Sequence, residues 1–393
     1  MEKVKIIDFC NISNGFAFKS DKYISENGAR VIRITNVQKG KIVDNDPKLY
    51  PFSELDKLEA YKIFEGDILM SLTGNVGRVG RFPKELLPAY INQRVCRVMP
   101  KNEKLDTNFL FHFLNSDVFE NEAIKNSAGA AQLNLSTKWL GDFEIPLPPL
   151  ATQQRIAAIL DQADAIIQNN RAIVQKYDAL TQSLFLDMFG DPVKNEKGWK
   201  LVSAERHIDL LTGFAFKSEL YSKNPNHIRL CGGLIIMPWG IEWDKSNKWD
   251  ISNSDNLDKY QLEVDDIVMA MDRPWIGSGF KIAQIKEEDL PSLLVQRTAR
   301  IRSNDFNSKF LFHFYKSSAF ERHAKPTETT VPHISPKDIK SYLLFDVPIM
   351  LQNQFAERVA VIEAQKEQAQ LQLAKSEELF ASLLQRAFKG ELS

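Results

Sequence analysis

Between Arg78 and Lys101 the chain carries Arg78, Arg81, Lys84, Arg94, Arg97 and Lys101 against a single acid, Glu85. Guanidinium and ammonium groups at that density neutralise phosphates, while Arg, Asn, Gln and Thr also match the hydrogen-bonding edges of bases. Further along, Arg297, Arg300 and Arg302 lie with no acid between Pro291 and Ser303, and Arg273 and Lys281 flank the turn Gly277-Ser278-Gly279. The chemistry on offer is contact with a polyanion. The residues that qualify as nucleic-acid contacts are Thr35, Asn36, Thr73, Asn75, Arg78, Arg81, Gln93 and Arg94, then Arg229, Arg273, Trp275, Lys281, Gln296 and Arg297. Trp239, Trp243, Trp249 and Trp275 otherwise read as packing residues.

Bond-making chemistry finds less support. Asp272-Arg273-Pro274-Trp275 is one residue away from the Asp-Pro-Pro-aromatic signature of amino-methyltransferases. Its Arg replaces the Pro that shapes that loop, no Gly-rich cofactor turn sits upstream, and Leu72-Thr73-Gly74-Asn75, its counterpart in the repeat described below, keeps nothing of it. A loop between strands is the better account. A phosphate-binding GxxxxGK[ST] motif is absent, so nucleotide hydrolysis by this chain is not expected. His112 and His313 recur in aromatic helical runs, where a satisfied core histidine is expected, and the other four histidines have no partner pattern. Cys10, Cys96 and Cys231 lack paired spacing, which suggests neither a disulfide framework nor a cysteine metal site. No catalytic residue and no metal ligand is assigned.

The elements that must position these residues come in two copies. Gly15-Phe16-Ala17-Phe18-Lys19-Ser20 recurs 198 residues on as Gly213 to Ser218, and Asp67-Ile68-Leu69-Met70 returns as Asp266-Ile267-Val268-Met269. Gln93-Arg94 returns as Gln296-Arg297, and Phe109 to Phe113 as Phe310 to Phe314. Residues that repeat suit a framework, whereas specificity should diverge. Short β-branched runs predict strands at Val31 to Val37, Asp67 to Leu72 and Arg94 to Met99, with counterparts at Ile228 to Leu230, Asp266 to Met271 and Thr298 to Arg302. Asn108 to Phe119 and Ser308 to Phe320 predict one helix per domain. The fold class is α+β.

Each globular part is followed by a long helix. Ala151 to Gly190 contains no internal Pro or Gly, and Ile156, Leu160, Ala163, Ile167, Asn170, Val174, Tyr177, Thr181, Leu184 and Met188 step by fours and threes. From Gln354 to Phe388 the same steps pick out Phe355, Val359, Ile362, Lys366, Ala369, Leu373, Ser376, Phe380, Leu383 and Ala387. The apolar members, Ile156, Leu160, Ile167, Val174, Tyr177 and Leu184 with Phe355, Val359, Ile362, Leu373, Phe380 and Leu383, are expected to pack the helices together. The proline-stiffened run Ile145 to Leu150 leads into the first helix, and Val347-Pro348 is its reduced copy. Expected are pseudo-twofold-related α/β-mixed domains at 1–150 and 191–350, separated by antiparallel coiled-coil helices at 151–190 and 351–393. Such a pair of readers suits a split target.

Composition bounds the rest. A chain of 393 residues is long enough for two to three domains, and 50 Lys plus Arg against 51 Asp plus Glu leave no global field, so any polyanion surface is local. No apolar run approaches the ~20 residues of a membrane span. A reducing cytoplasm and no membrane association are the expectation.

The duplication, the Pro146-Leu147-Pro148-Pro149-Leu150 approach with Gln153-Gln154-Arg155-Ile156, and the closing Phe388-Lys389-Gly390-Glu391-Leu392 together resemble the specificity subunits of Type I restriction-modification systems. The second approach, Val347-Pro348-Ile349-Met350-Leu351, departs from the proline pattern. The resemblance implies two target-recognition domains, each reading half of a bipartite double-stranded DNA sequence, with the helices as a ruler. It also implies two copies of an adenine-methyltransferase subunit and an endonuclease/translocase subunit as partners. These would carry S-adenosylmethionine, ATP and magnesium, leaving this chain without an active site. The reading set against it is a protein scaffold with a coiled-coil spacer and no DNA role.

Overall fold

The computed structural model describes residues 2–127, 133–253, 256–324 and 332–392. They form two compact units, Met1–Ala172 with Gln370–Ser393, and Ile173–Ala369. Both long helices, Leu150–Phe189 and Ile349–Lys389, contribute to both units.

In the first unit a six-stranded sheet runs in the order Cys10–Asn14, Val95–Pro100, Ile68–Ser71, Val79–Arg81, Gly40–Ile42 and Val37–Gln38. A second sheet holds Leu49–Pro51, Gly28–Ile32 and Ala89–Ile91, the last two parallel. The second unit repeats this plan with Ile208–Thr212, Thr298–Ser303, Ile267–Ala270 and Ile282–Gln284 in one sheet. Its other three-stranded sheet is Lys248–Trp249, Ile228–Cys231 and Ser292–Leu294, again with a parallel pair. Gly15 and Gly213 open corresponding loops so tightly that a Cβ would collide with the carbonyls of Asn92 and Val295. Only glycine permits that backbone approach, which explains why the repeat keeps it.

Two expectations need correction. The run Val31 to Val37 is not one strand: it stops at Ile32, because the Asn36 side chain accepts from Arg33 N at 2.8 Å and closes a turn before Val37–Gln38. The single helix expected in each domain is two. In the first unit Thr107–Leu114 is separated from Asp117–Ser127, where the Asn115 amide donates back to the Phe111 carbonyl and Ser116 Oγ to the Phe113 carbonyl. Side chains that compete for the last helical carbonyls end a helix. In the second unit Ser317 Oγ does the same between Ser308–Tyr315 and Ser318–His323.

Each unit buries its aromatic helix between a sheet and the long helices. In the first, Phe109 and Phe113 meet Phe388 edge-on at 5.4 and 5.0 Å, with Ile156, Leu160 and Ala387 in the same core. In the second, Phe310 meets Phe189 at 4.7 Å, and Phe189 meets Phe355 at 5.2 Å. Aromatic side chains are the largest apolar surfaces a core can bury, and such edge contacts each add about 0.5–1.5 kcal/mol.

Along both helices the four-three positions are the protected ones. Ile156, Leu160, Ile167, Phe355 and Val359 are buried, while Val174, Tyr177, Leu184, Ile362, Leu373, Phe380 and Leu383 are half-buried. Inside the first unit Asn170 donates to Ser376 at 2.9 Å and Arg171 pairs with Glu377 at 2.6 Å. Inside the second, Lys366 pairs with Asp178 at 2.6 Å and Phe185 meets Phe355 at 5.6 Å. From Leu160, which shares a core with Ala387, to Asn170 at Ser376, and from Asp178 at Lys366 to Phe185 at Phe355, rising numbers on the first helix meet falling numbers on the second, so within each unit the helices are antiparallel.

Two glutamines lock the helix starts. Gln153 is fully buried, accepts from Asp106 N at 2.8 Å and donates to Lys104 O and Pro148 O at 2.9 and 2.8 Å. Gln352, 199 residues on, accepts from Asn307 N and donates to Val347 O, at 2.8 and 2.7 Å. The second helix thus starts from the same joint as the first despite its missing prolines.

Candidate nucleic-acid interface

Several chain segments converge where the parallel strands of each unit end. In the first unit Asn92 N bonds Ile32 O at 3.0 Å, Leu72 N bonds Arg94 O at 2.9 Å, and Leu135 N bonds Leu72 O at 2.7 Å. Gln93 N reaches Phe16 O at 2.8 Å. The second unit has the same lattice: Val295 N to Cys231 O, Met271 N to Arg297 O, Ile334 N to Met271 O and Gln296 N to Phe214 O, at 3.1, 3.0, 2.8 and 2.8 Å. Each domain therefore gathers five chain segments at one end, positioned by rigid strands, which is how loops carry binding residues.

At the first tip the structure brings together Thr35, Asn75, Gln93 and Arg94, all exposed. Thr73 sits there half-buried, bridged to Asn134, and its Oγ1 is sealed with no partner. Arg78 is half-buried and donates to Gln38 Oε1 at 2.7 Å. Two candidates drop out. Asn36 is buried, its amide spent on Arg33 N, Val43 O and Asp44. Arg81 lies 4.6 Å over the Phe111 ring, its Nε and Nη2 sealed without partners, and burial holds its pKa below the usual guanidinium value.

At the second tip Arg273, Gln296 and Arg297 are exposed. Three others serve the fold instead. Arg229 donates to Glu288 O and Leu290 O at 2.7 and 3.1 Å and covers the Trp243 ring at 4.4 Å. Trp275 stacks on Phe280 at 5.1 Å, with its Nε1 sealed. Lys281 is buried and donates to the Gly233 carbonyl beneath the Gly232–Leu234 loop. The basic ribbon also breaks up: Arg97 pairs with Asp67 at 3.1 Å and Lys101 reaches Ile7 O at 2.5 Å.

Asp272 is the hub of a small polar cluster. Its Oδ1 lies 2.6 Å from His333 Nδ1 and its Oδ2 lies 3.0 Å from Arg297 Nη1. His333, which has no partner pattern in the sequence, gains one 61 residues away. Leu234 is 86% exposed and Trp239, expected to pack, is 62% exposed. The sequence signal was available in the repeat itself: a shift of 199 residues sets Thr35 against Leu234, Thr73 against Asp272 and Asn134 against His333.

Among the described residues no cluster of three or more His, Cys, Asp or Glu has a metal-holding geometry, and no helix is long and apolar enough to cross a membrane. The three cysteines are buried and unpaired, and burial pushes the Cys10 and Cys96 thiols up to about 12.

Residues 1–176 match the Type I restriction modification DNA specificity domain. The MjaVIII specificity subunit of Methanocaldococcus jannaschii is 33% identical over 174 residues, 43% of this chain and 41% of that protein. The EcoKI specificity subunit of Escherichia coli is 24% identical over 405 aligned positions, 96% of this chain and 86% of that one. The chain is thus similar to the Type I restriction-modification specificity subunits, most clearly over its first 176 residues. A specificity subunit of this family from M. genitalium has the same fold, with a TM-score of 0.55 at 15% identity, over 98% of this chain and 96% of that one. The tip loops thus lie on a fold shared with that subunit, in which the framework repeats and the tips differ.

Proposed function

We propose that this chain is the specificity subunit of a Type I complex and directs it to DNA, each domain tip reading one half of a bipartite, asymmetric target. The observation that carries this reading is the pair of loop clusters built on one backbone lattice but tipped with different side chains. A common lattice fixes how each domain meets a duplex, and divergent tips select different bases. Arg78, Arg94, Arg273 and Arg297 supply positive charge there, where phosphate contacts add affinity without sequence preference.

The helix pair would set the distance between the half-sites and hold two adenine-methyltransferase subunits. In support, Ile166, Ile173 and Leu180, seven residues apart on the first helix, leave an apolar row exposed outside the paired seam. Exposed apolar rows of this kind mark interaction surfaces. Methylation would then be catalysed by those partners with S-adenosylmethionine, and cleavage by an endonuclease/translocase subunit with ATP and magnesium.

Adenine methylation mapped across the host genome with the gene present and deleted tests the proposal. The expected result is a split motif whose methylation disappears on deletion. If a deletion strain with an active methyltransferase retains every methylated motif, the proposal fails.

A further inference from the structure

We propose that Arg297, braced by Asp272, reads the major-groove edge of a guanine in one half of the target. The inference rests on the DNA-reading role proposed above and adds a residue and a base to it.

The backbone at Arg297 is pinned. Its φ of 61° lies in the left-handed region, its carbonyl accepts from Met271 N at 3.0 Å, and the next residue's N–H returns to Val295 O at 3.3 Å. A non-glycine residue keeps such a φ only where its surroundings enforce it. The side chain is held as well: Nη1 is 3.0 Å from Asp272 Oδ2, and the other carboxylate oxygen is anchored by His333 at 2.6 Å. Even so, the Arg297 side chain is 73% exposed. Nη1 is thus paired, while most of the side chain stands exposed.

A planar fork of N–H donors matches the O6 and N7 acceptors of guanine, and a braced arginine loses less rotamer freedom when it forms both bonds. Asp272 does not itself read a base, because both its oxygens are engaged; it is a positioning residue. The first unit supplies the contrast. Arg94 occupies the equivalent place and is exposed, but Thr73 and Asn134 stand where Asp272 and His333 stand in the second unit. Without that carboxylate Arg94 is free to follow a phosphate. Identical residues in the repeat therefore take different tasks, decided by what braces them.

The test is selection from a pool of randomised DNA duplexes by the full-length chain co-purified with its methyltransferase subunit. Wild type is expected to return a split motif with a G·C pair in one half. Arg297→Lys keeps the charge but not the fork, and Asp272→Ala removes the brace; both should lower the preference for that single pair about tenfold or more. The other half-site should persist in the same molecules, which shows that they are folded.

The proposal is overturned if Arg297→Lys keeps every preference in both halves while binding weakens equally on all sequences. Should Asp272→Ala lose both half-sites through misfolding, the exposed Arg297→Lys replacement decides alone. If wild type returns no split motif, the DNA-reading role itself is wrong and this inference falls with it.

Discussion

His112 and His313 stand at the same place in the repeat and have different surroundings. His112 Nε2 lies 2.7 Å from Asp161 Oδ1, whereas Ala360 occupies the corresponding place in the second unit. The expectation of a satisfied core histidine therefore holds for His112 alone. His313 has its Nε2 sealed without a partner and its ring 5.4 Å from Phe355, edge to face. Burial, with Lys316 and Lys309 nearby, pushes its pKa down to about 3. An unfolded histidine titrates near 6.5, so on acidification the unfolded chain takes the proton first. The second unit is thus at full strength above about pH 6.5 and weakens as pH falls towards 3, by up to about 1.4 kcal/mol per pH unit. Urea unfolding at pH 7.5 and 5.5 measures this. Five of the six tryptophans, Trp199, Trp239, Trp243, Trp249 and Trp275, lie in this unit and Trp139 in the other, so tryptophan fluorescence of a Trp139→Phe background follows it. His313→Leu should shrink the difference between the two midpoints; an unchanged difference would remove His313 as its source.

At the scale of elements, the seam of the long helices is specified by four-three spacing, and its polar members are paired. Asn170 with Ser376, and Lys366 with Asp178, place hydrogen bonds and charge where the apolar pattern lapses. Polar seam positions fix register at some cost in stability. If the pair is a ruler, seven residues inserted into each helix near Ala172 and Ala369 preserve the seam and lengthen it by about 10.5 Å. That corresponds to roughly three base pairs at ~3.4 Å each. Methylation mapping should then show an unread gap longer by about three base pairs with both half-sites unchanged. Altered half-sites would mean that the helices do more than measure.

For the molecule as a whole, duplication has placed two similar domains in one chain, and under the proposed function their targets are free to diverge. The same lattice of backbone bonds supports both tips, while Thr35, Thr73 and Asn134 give way to Leu234, Asp272 and His333. Exchanging residues Gly15 to Asp142 for the corresponding segment of a relative should therefore change one half of the methylated motif and leave the other. A change in both halves would show that the domains do not read independently.

The sequence by itself determined what is local or periodic. The repeat, the long helices, the seam and the α+β class all follow from spacing that needs no knowledge of distant contacts. Breaks inside short elements were harder to see: the turn at Asn36 and the helix stop at Asn115 depend on which backbone group a side chain reaches. The tips were only partly legible. Thr35, Asn75, Arg94, Arg273 and Arg297 are exposed on converging loops, but Asn36, Arg81 and Arg229 have the same residue types and serve the fold, as do Trp275 and Lys281. Nothing in composition separates these groups, because an arginine's task depends on its neighbours. Arg81 meets Phe111, Arg229 the Leu290 carbonyl and Arg297 the Asp272 carboxylate, at sequence separations of 30, 61 and 25 residues. Only the tertiary structure brings those partners within hydrogen-bonding or stacking range, and so it alone decides which cations are spent on the fold and which remain exposed.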